Sequence, residues 1–154
     1  MLDPRAPALL AVILMVAAPA TAQDPTGLWL TAAETAVVEI DRCDDELCGW
    51  IYWLEEGGMR HDEENPDEEL RDRPLCGLPI LYDFTQNPDR PTEWRDGRVY
   101  AADDGNTYSG RIRVQSADEL ELRGYRGIAL FGRSETWTRV SAEDFERCEP
   151  PSAR

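Results

Sequence analysis

Arg133, Glu135 and Trp137 occupy alternate positions in the segment Arg133 to Val140. On an extended strand that spacing sends all three to one face. A cation and an anion beside a large apolar ring can anchor the head of a small amphiphile while the ring holds its body. The same residues also suit a structural Arg–Glu pair or an outward, solvated face. If the face points inward, the charges need partners, because an unpaired buried charge costs several kcal/mol. Tyr82, Tyr100, Tyr108 and Tyr125 are available to add hydroxyls, although tyrosine also favours strands by shape alone. Trp50-Ile51-Tyr52-Trp53 is apolar on both faces of one strand. Both faces cannot enter one interior, so one pair must be covered by a helix, a partner or a ligand. We read Trp53, Tyr100, Tyr108 and Trp137 as apolar wall, Arg133 with Glu135 as polar anchor, and Trp50 with Tyr52 as an alternative surface for a protein partner.

Other chemistries find less support. The 154 residues carry 16 basic side chains, all arginine, so lysine nucleophiles, Schiff bases and phosphate-loop lysines are excluded. One histidine, His61, precludes a multi-histidine metal site, and no Gly-x-Ser-x-Gly elbow accompanies it. Paired carboxylates acting on a glycan form the remote enzymatic alternative, but nothing singles out a pair among the acids. Asp62 to Glu69 carries six acids in eight positions without calcium-loop spacing, and reads as a solvated acidic face. We expect no catalytic residues, metal or cofactor. A formal charge of −15 repels phosphate backbones and anionic lipid, which argues against a nucleic-acid partner.

Leu9 to Ala18 is an uninterrupted apolar run too short to span a bilayer, and it leads to Ala20-Thr21-Ala22. Residues 1–22 therefore read as a secretory signal, with a mature, periplasmic or secreted chain that has no integral membrane association. In an oxidising compartment the four cysteines favour disulfides. Cys43 and Cys48 enclose a plausible hairpin tip; Cys76 and Cys148 pair by remainder.

These residues need strands to hold them. Apolar–polar alternation is clear at 36–42, 107–115 and 119–125, with turn signals at Asp44-Asp45, Asp96-Gly97, Asp103 to Asn106 and Ser116 to Asp118. About eight strands result, near 27–31, 36–42, 48–54, 78–84, 97–101, 107–115, 119–125 and 133–140, a number that suits a closed meander. Asn65-Pro66-Asp67-Glu68 predicts a short surface helix over 66–72 capped by Asn65, and another helical turn is possible at 141–147. Residues 23–148 form one domain, and 149–154 a flexible tail. Gly27-Leu28-Trp29 opens the first strand. In lipocalin-like barrels a tryptophan so placed plugs one end, with a late arginine, here Arg139 or Arg133, stacked on its ring.

The blocks GLWLT (27–31), LCGWIYWL (47–54), NPDEELRDRPLCGLPIL (65–81), GRVYAADDGNTYSGRIRV (97–114), LELRGYRG (120–127) and FGRSETWTRV (131–140) occur in one order. Together they resemble the bacterial exported domain-of-unknown-function family 2147. The resemblance implies an all-β, eight-stranded antiparallel up-and-down barrel of lipocalin or calycin type, with no established activity and no catalytic residues to transfer. The favoured expectation is a non-enzymatic barrel that binds a small hydrophobic or amphiphilic molecule. The alternative is an envelope interaction or stress module with a packed interior.

Overall fold

The computed structural model describes residues 24–58 and 60–149. The expected signal segment, and all of the expected tail except Glu149, lie outside them. Eight strands follow in chain order: β1 Gly27–Leu30, β2 Ala36–Cys43, β3 Glu46–Leu54, β4 Pro79–Asn87, β5 Arg90–Ala101, β6 Asn106–Val114, β7 Glu119–Tyr125 and β8 Arg133–Val140. Each pairs antiparallel with its sequence neighbour, and β1 pairs with β8, so the sheet closes into an up-and-down barrel. The closing seam is short, joining Leu28 to Val140, Trp29 to Arg139 and Leu30 to Thr138.

The strand directions define two ends. The turns after β2, β4 and β6 lie at one end; the loops after β1, β3, β5 and β7 lie at the other. The first end is filled. Trp29, Ile40, Leu47, Phe84, Trp94, Ile112 and Leu120 are buried there in one cluster that continues to Val38, Leu122 and Trp137. A Cβ on Gly97 would fall 2.3 Å from the Phe84 ring, and one on Gly110 would fall 2.7 Å from it. The two glycines thus make the seat in which that ring lies. Trp29 closes the base, donating from Nε1 to the Pro25 carbonyl at 2.8 Å. The Arg139 guanidinium lies 4.1 Å from the Trp29 ring centroid and donates to the carbonyls of Asp24, Thr26 and Ala117. Gly27 leaves room for it, since a Cβ there would lie 2.6 Å from an Arg139 nitrogen.

Three local expectations are corrected. Asp96-Gly97 is not a turn. Asp83 and Asp96 both take left-handed backbone angles, φ 59° and 61°, within β4 and β5. These residues fall in the gap between the paired positions Tyr82–Arg98 and Thr85–Arg95. Aspartate tolerates this conformation, so an apparent hairpin signal is a kink within two long strands. The hairpin tip is instead Pro88-Asp89. The helix expected over 66–72 shrinks to one 3₁₀ turn, Glu68–Leu70, capped by Asp67 rather than Asn65. Asn65 is drawn inward, and the Arg73 carbonyl accepts from Asp62 N at 3.1 Å, which stops any longer helix. Residues 141–147 form turns and no helix.

The disulfides join Cys43 to Cys48 at the filled end and Cys76 to Cys148 on the flank. The second fastens the C-terminal segment over β3. Phe145 meets the Trp53 ring edge-on at 4.9 Å, the Arg147 guanidinium lies 4.4 Å from the Tyr52 ring, and Cys148 N donates to the Tyr52 carbonyl. The outer apolar face of β3 is therefore covered by the chain's own C-terminal segment.

Candidate ligand cavity

Above the packed end the barrel is open. A cavity of about 800 Å³ occupies this half. Ala36, Val38, Ile51, Leu54, Val99, Leu122 and Trp137 supply its apolar wall. Gly124 contributes space: a Cβ there would meet only Tyr108 Cβ, at an ordinary 3.7 Å. Around the mouth stand Thr31 after β1, Arg60 after β3, Asp103 and Asp104 after β5, and Arg126 and Phe131 after β7.

Of the residues nominated from sequence, Tyr100, Tyr108, Arg133, Glu135 and Trp137 all line this cavity. Trp53 does not. The register shifts between the pairs Val37–Trp53 and Val38–Ile51. This bulge keeps Ile51 and Leu54 on the cavity while Trp53 turns to Phe145. Tyr52, proposed as a partner surface, is 8 % exposed beneath Arg147, and Trp50 is half-buried. Arg133 and Glu135 make no ion pair with each other. Glu135 accepts from Trp137 Nε1 at 3.1 Å. The Arg133 side chain has no hydrogen-bond or ionic partner among the described residues and remains exposed to the cavity and its mouth. Thr31 Oγ1 is buried without a hydrogen-bond partner.

Most of the tyrosine hydroxyls are already committed. Tyr82 donates to the Pro79 carbonyl at 2.6 Å. Tyr108 donates to Asp104 at 2.5 Å, which raises the phenol above its ordinary range. Partial burial works against ionisation of Asp104. The hydrogen bonds from Tyr108 and Asn106, with Arg126 nearby, outweigh it and hold that carboxyl below its usual range. Tyr100 donates to Asp62 at 2.6 Å. Burial, and then this bond, push its hydroxyl upward.

Asp62 is the residue that sequence reasoning placed wrongly. It is fully buried rather than part of a solvated face. Tyr100, Asn65 and Arg73 all donate to its carboxylate, at 2.6 to 2.8 Å. With every oxygen served, the burial cost is offset. This knot pins the 55–78 loop beside the cavity mouth. Gly105, at φ 70°, lets that loop approach, since a Cβ there would lie 1.8 Å from the Glu64 carbonyl oxygen. The acid-rich context of Asp62 hid it; the one available signal was an arginine eleven residues later at Arg73.

Among the described residues no group of three or more His, Cys, Asp or Glu is placed to hold a metal ion. No helix among them is long and apolar enough to cross a membrane.

A closed antiparallel barrel, sealed at one end by a Trp–Arg plug and hollow at the other, is lipocalin-like in architecture. The chain belongs to the family described as "Uncharacterized protein conserved in bacteria (DUF2147)", whose model matches residues 27–139. Among solved structures it is similar to protein HP1028 from the human pathogen Helicobacter pylori, described as belonging to the lipocalin family. The two share 25 % identity at a TM-score of 0.69, over 79 % of this chain and 86 % of the other. No curated protein sequence matches significantly.

Proposed function

We propose that this protein is an exported, periplasmic or secreted, non-enzymatic carrier of a small amphiphile with an anionic head. The observation that carries the reading is Arg133: a guanidinium without a partner among the described residues, at the open end of an apolar cavity of about 800 Å³. That volume falls in the usual range for small-molecule sites. An acyl or other apolar body would lie along Val38, Ile51, Leu122 and Trp137. Its head would take a charge-assisted hydrogen bond from Arg133. Glu135 beside Trp137 would disfavour a second negative charge deeper in the cavity. The two disulfides suit an oxidising compartment, which supports the export reading. The lipocalin-family neighbour supports a binding role over catalysis.

The test is titration of the purified protein with a dansylated undecanoic acid below its micelle concentration. Saturable fluorescence enhancement is expected, weakened roughly tenfold by Arg133→Gln, as loss of one charge-assisted bond implies. No saturable binding by the unmodified protein would overturn the proposal.

A further inference from the structure

The loop between β7 and β8 differs from the rest of the surface. Ile128, Leu130 and Phe131 are 57, 77 and 78 % exposed, and they provide three of the four large exposed apolar side chains among the described residues. They are consecutive except for Ala129, on a 3₁₀ turn at Ala129–Phe131. The turn is held in shape. Arg123 donates to the carbonyls of Ala129 and Leu130 and to Ser134 Oγ. Gly132 N donates to the Ala129 carbonyl. The apolar tips are therefore presented by a braced loop. Phe131 also lines the cavity, so one of the exposed tips belongs to the mouth itself.

Along the loop itself the charge is inverted relative to the chain. Residues 122–134 contain three arginines and no acid, within a protein of net charge −15. Arg126 and Arg133 flank the tips. Arg126 stacks on Tyr108 at 5.0 Å, and the Arg133 side chain is unpaired among the described residues. Bulky apolar side chains outermost, with guanidinium groups behind them, match the depth order of a bilayer surface, acyl chains beneath phosphates.

We propose that the β7–β8 loop is a membrane-docking element that seats the cavity mouth on a phospholipid bilayer. Ile128, Leu130 and Phe131 enter the boundary between headgroups and acyl chains, and Arg126 and Arg133 meet lipid phosphates. Asp103 and Asp104 at the same mouth, and the acid-rich 55–78 loop beside it, limit the contact to this loop and keep the attachment peripheral. Because the chain as a whole repels anionic surfaces, the matching surface is zwitterionic: it offers phosphates without net negative charge. The inference goes beyond the carrier reading, since docking needs the loop and not a ligand.

The experiment is flotation of the protein with vesicles of phosphatidylethanolamine and phosphatidylcholine at physiological salt. The unmodified protein is expected to float with the vesicles. Leu130→Ser/Phe131→Ser is expected to reduce the bound fraction about tenfold or more, from loss of two inserted side chains. Both positions are open to solvent, so an unchanged thermal melt verifies that the variant is folded. Gly124→Trp, which fills the cavity, is expected to float like the unmodified protein while losing the dansylated probe. Absence of flotation, or flotation undiminished in the loop variant, overturns the proposal. Loss of flotation in Gly124→Trp would also overturn it, assigning the association to lipid taken into the cavity. Failure of probe binding with flotation intact overturns the carrier reading alone.

Discussion

The two halves of this barrel are built from the same eight strands and put to opposite uses. At the filled end Gly97 and Gly110 are places where another strand's ring already sits; at the open end Gly124 is a place where nothing does. Phe84, Trp94 and Trp29 consume the interior below, whereas above them the inward positions include Ala36, Val99 and Gly124, whose small side chains leave the space unfilled. Side-chain volume on a common scaffold therefore decides where packing ends and a cavity begins. The ends also differ in their electrostatics. At the base the cation–π pair of Arg139 and Trp29 is backed by three carbonyl acceptors. At the mouth the Arg133 side chain has none among the described residues.

That contrast can be broken most forcefully at the base. Phe84→Ala should cost about 4 kcal/mol, because a large void opens in a region with no slack; urea unfolding measures it. Cys148→Ser should follow at about 3–4 kcal/mol, the scale expected when a link spanning 72 residues is lost. It should also expose Trp53 and Tyr52, seen as a red shift in tryptophan emission. Gly97→Ala should cost about 1–3 kcal/mol by forcing the Phe84 ring from its seat. Gly124→Trp sharpens the same comparison from the other side. It should change stability by less than about 1 kcal/mol, since it enters open space, yet abolish binding of the dansylated probe.

The smallest expected effect is a pH dependence near the base. Hydrogen bonds from Asn87 and then Arg113 hold the Glu93 carboxyl below its ordinary range, against the opposing effect of burial. A carboxyl lowered in the folded state contributes stability that is fully present above its unfolded value and lost as pH falls through the folded one. Glu93→Gln should therefore flatten the acid limb of the stability profile by lowering stability at neutral pH, with little change at low pH, where the native carboxyl is already protonated.

Strand alternation made the barrel legible, because one wet face and one dry face leave a period of two in β2, β6 and β7. Gly27, Trp29 and Arg139 were legible for a different reason: a plug needs a large ring, a long cation and a gap, and few residue types supply them. The second half of β4 and the first half of β5 were not legible. Asp83 and Asp96 look like turn residues, and only the pairing across the sheet reveals them as kinks. The cavity wall was legible in part. Arg133, Glu135 and Trp137 followed from alternation, but a bulge on β3 reverses the parity beyond Ile51 and moves Trp53 outside. Asp62 was hidden because burial of one acid in a run of six depends on a partner in a different element. Ile128 to Phe131 passed unnoticed, since an apolar tetrapeptide between two strands reads as ordinary sequence until its exposure is known.

The three-residue seam between β1 and β8 has a consequence for how the molecule comes into being. Its partners are 108 to 112 residues apart in the chain, Trp29 and Arg139 among them. Until Arg139 has emerged from whatever conduit delivers the polypeptide, the first seven strands can form only a curled ribbon with two raw edges. The nascent molecule thus passes its longest stage in its most adhesive form, and a cell that makes it must shield those edges until the final strand arrives.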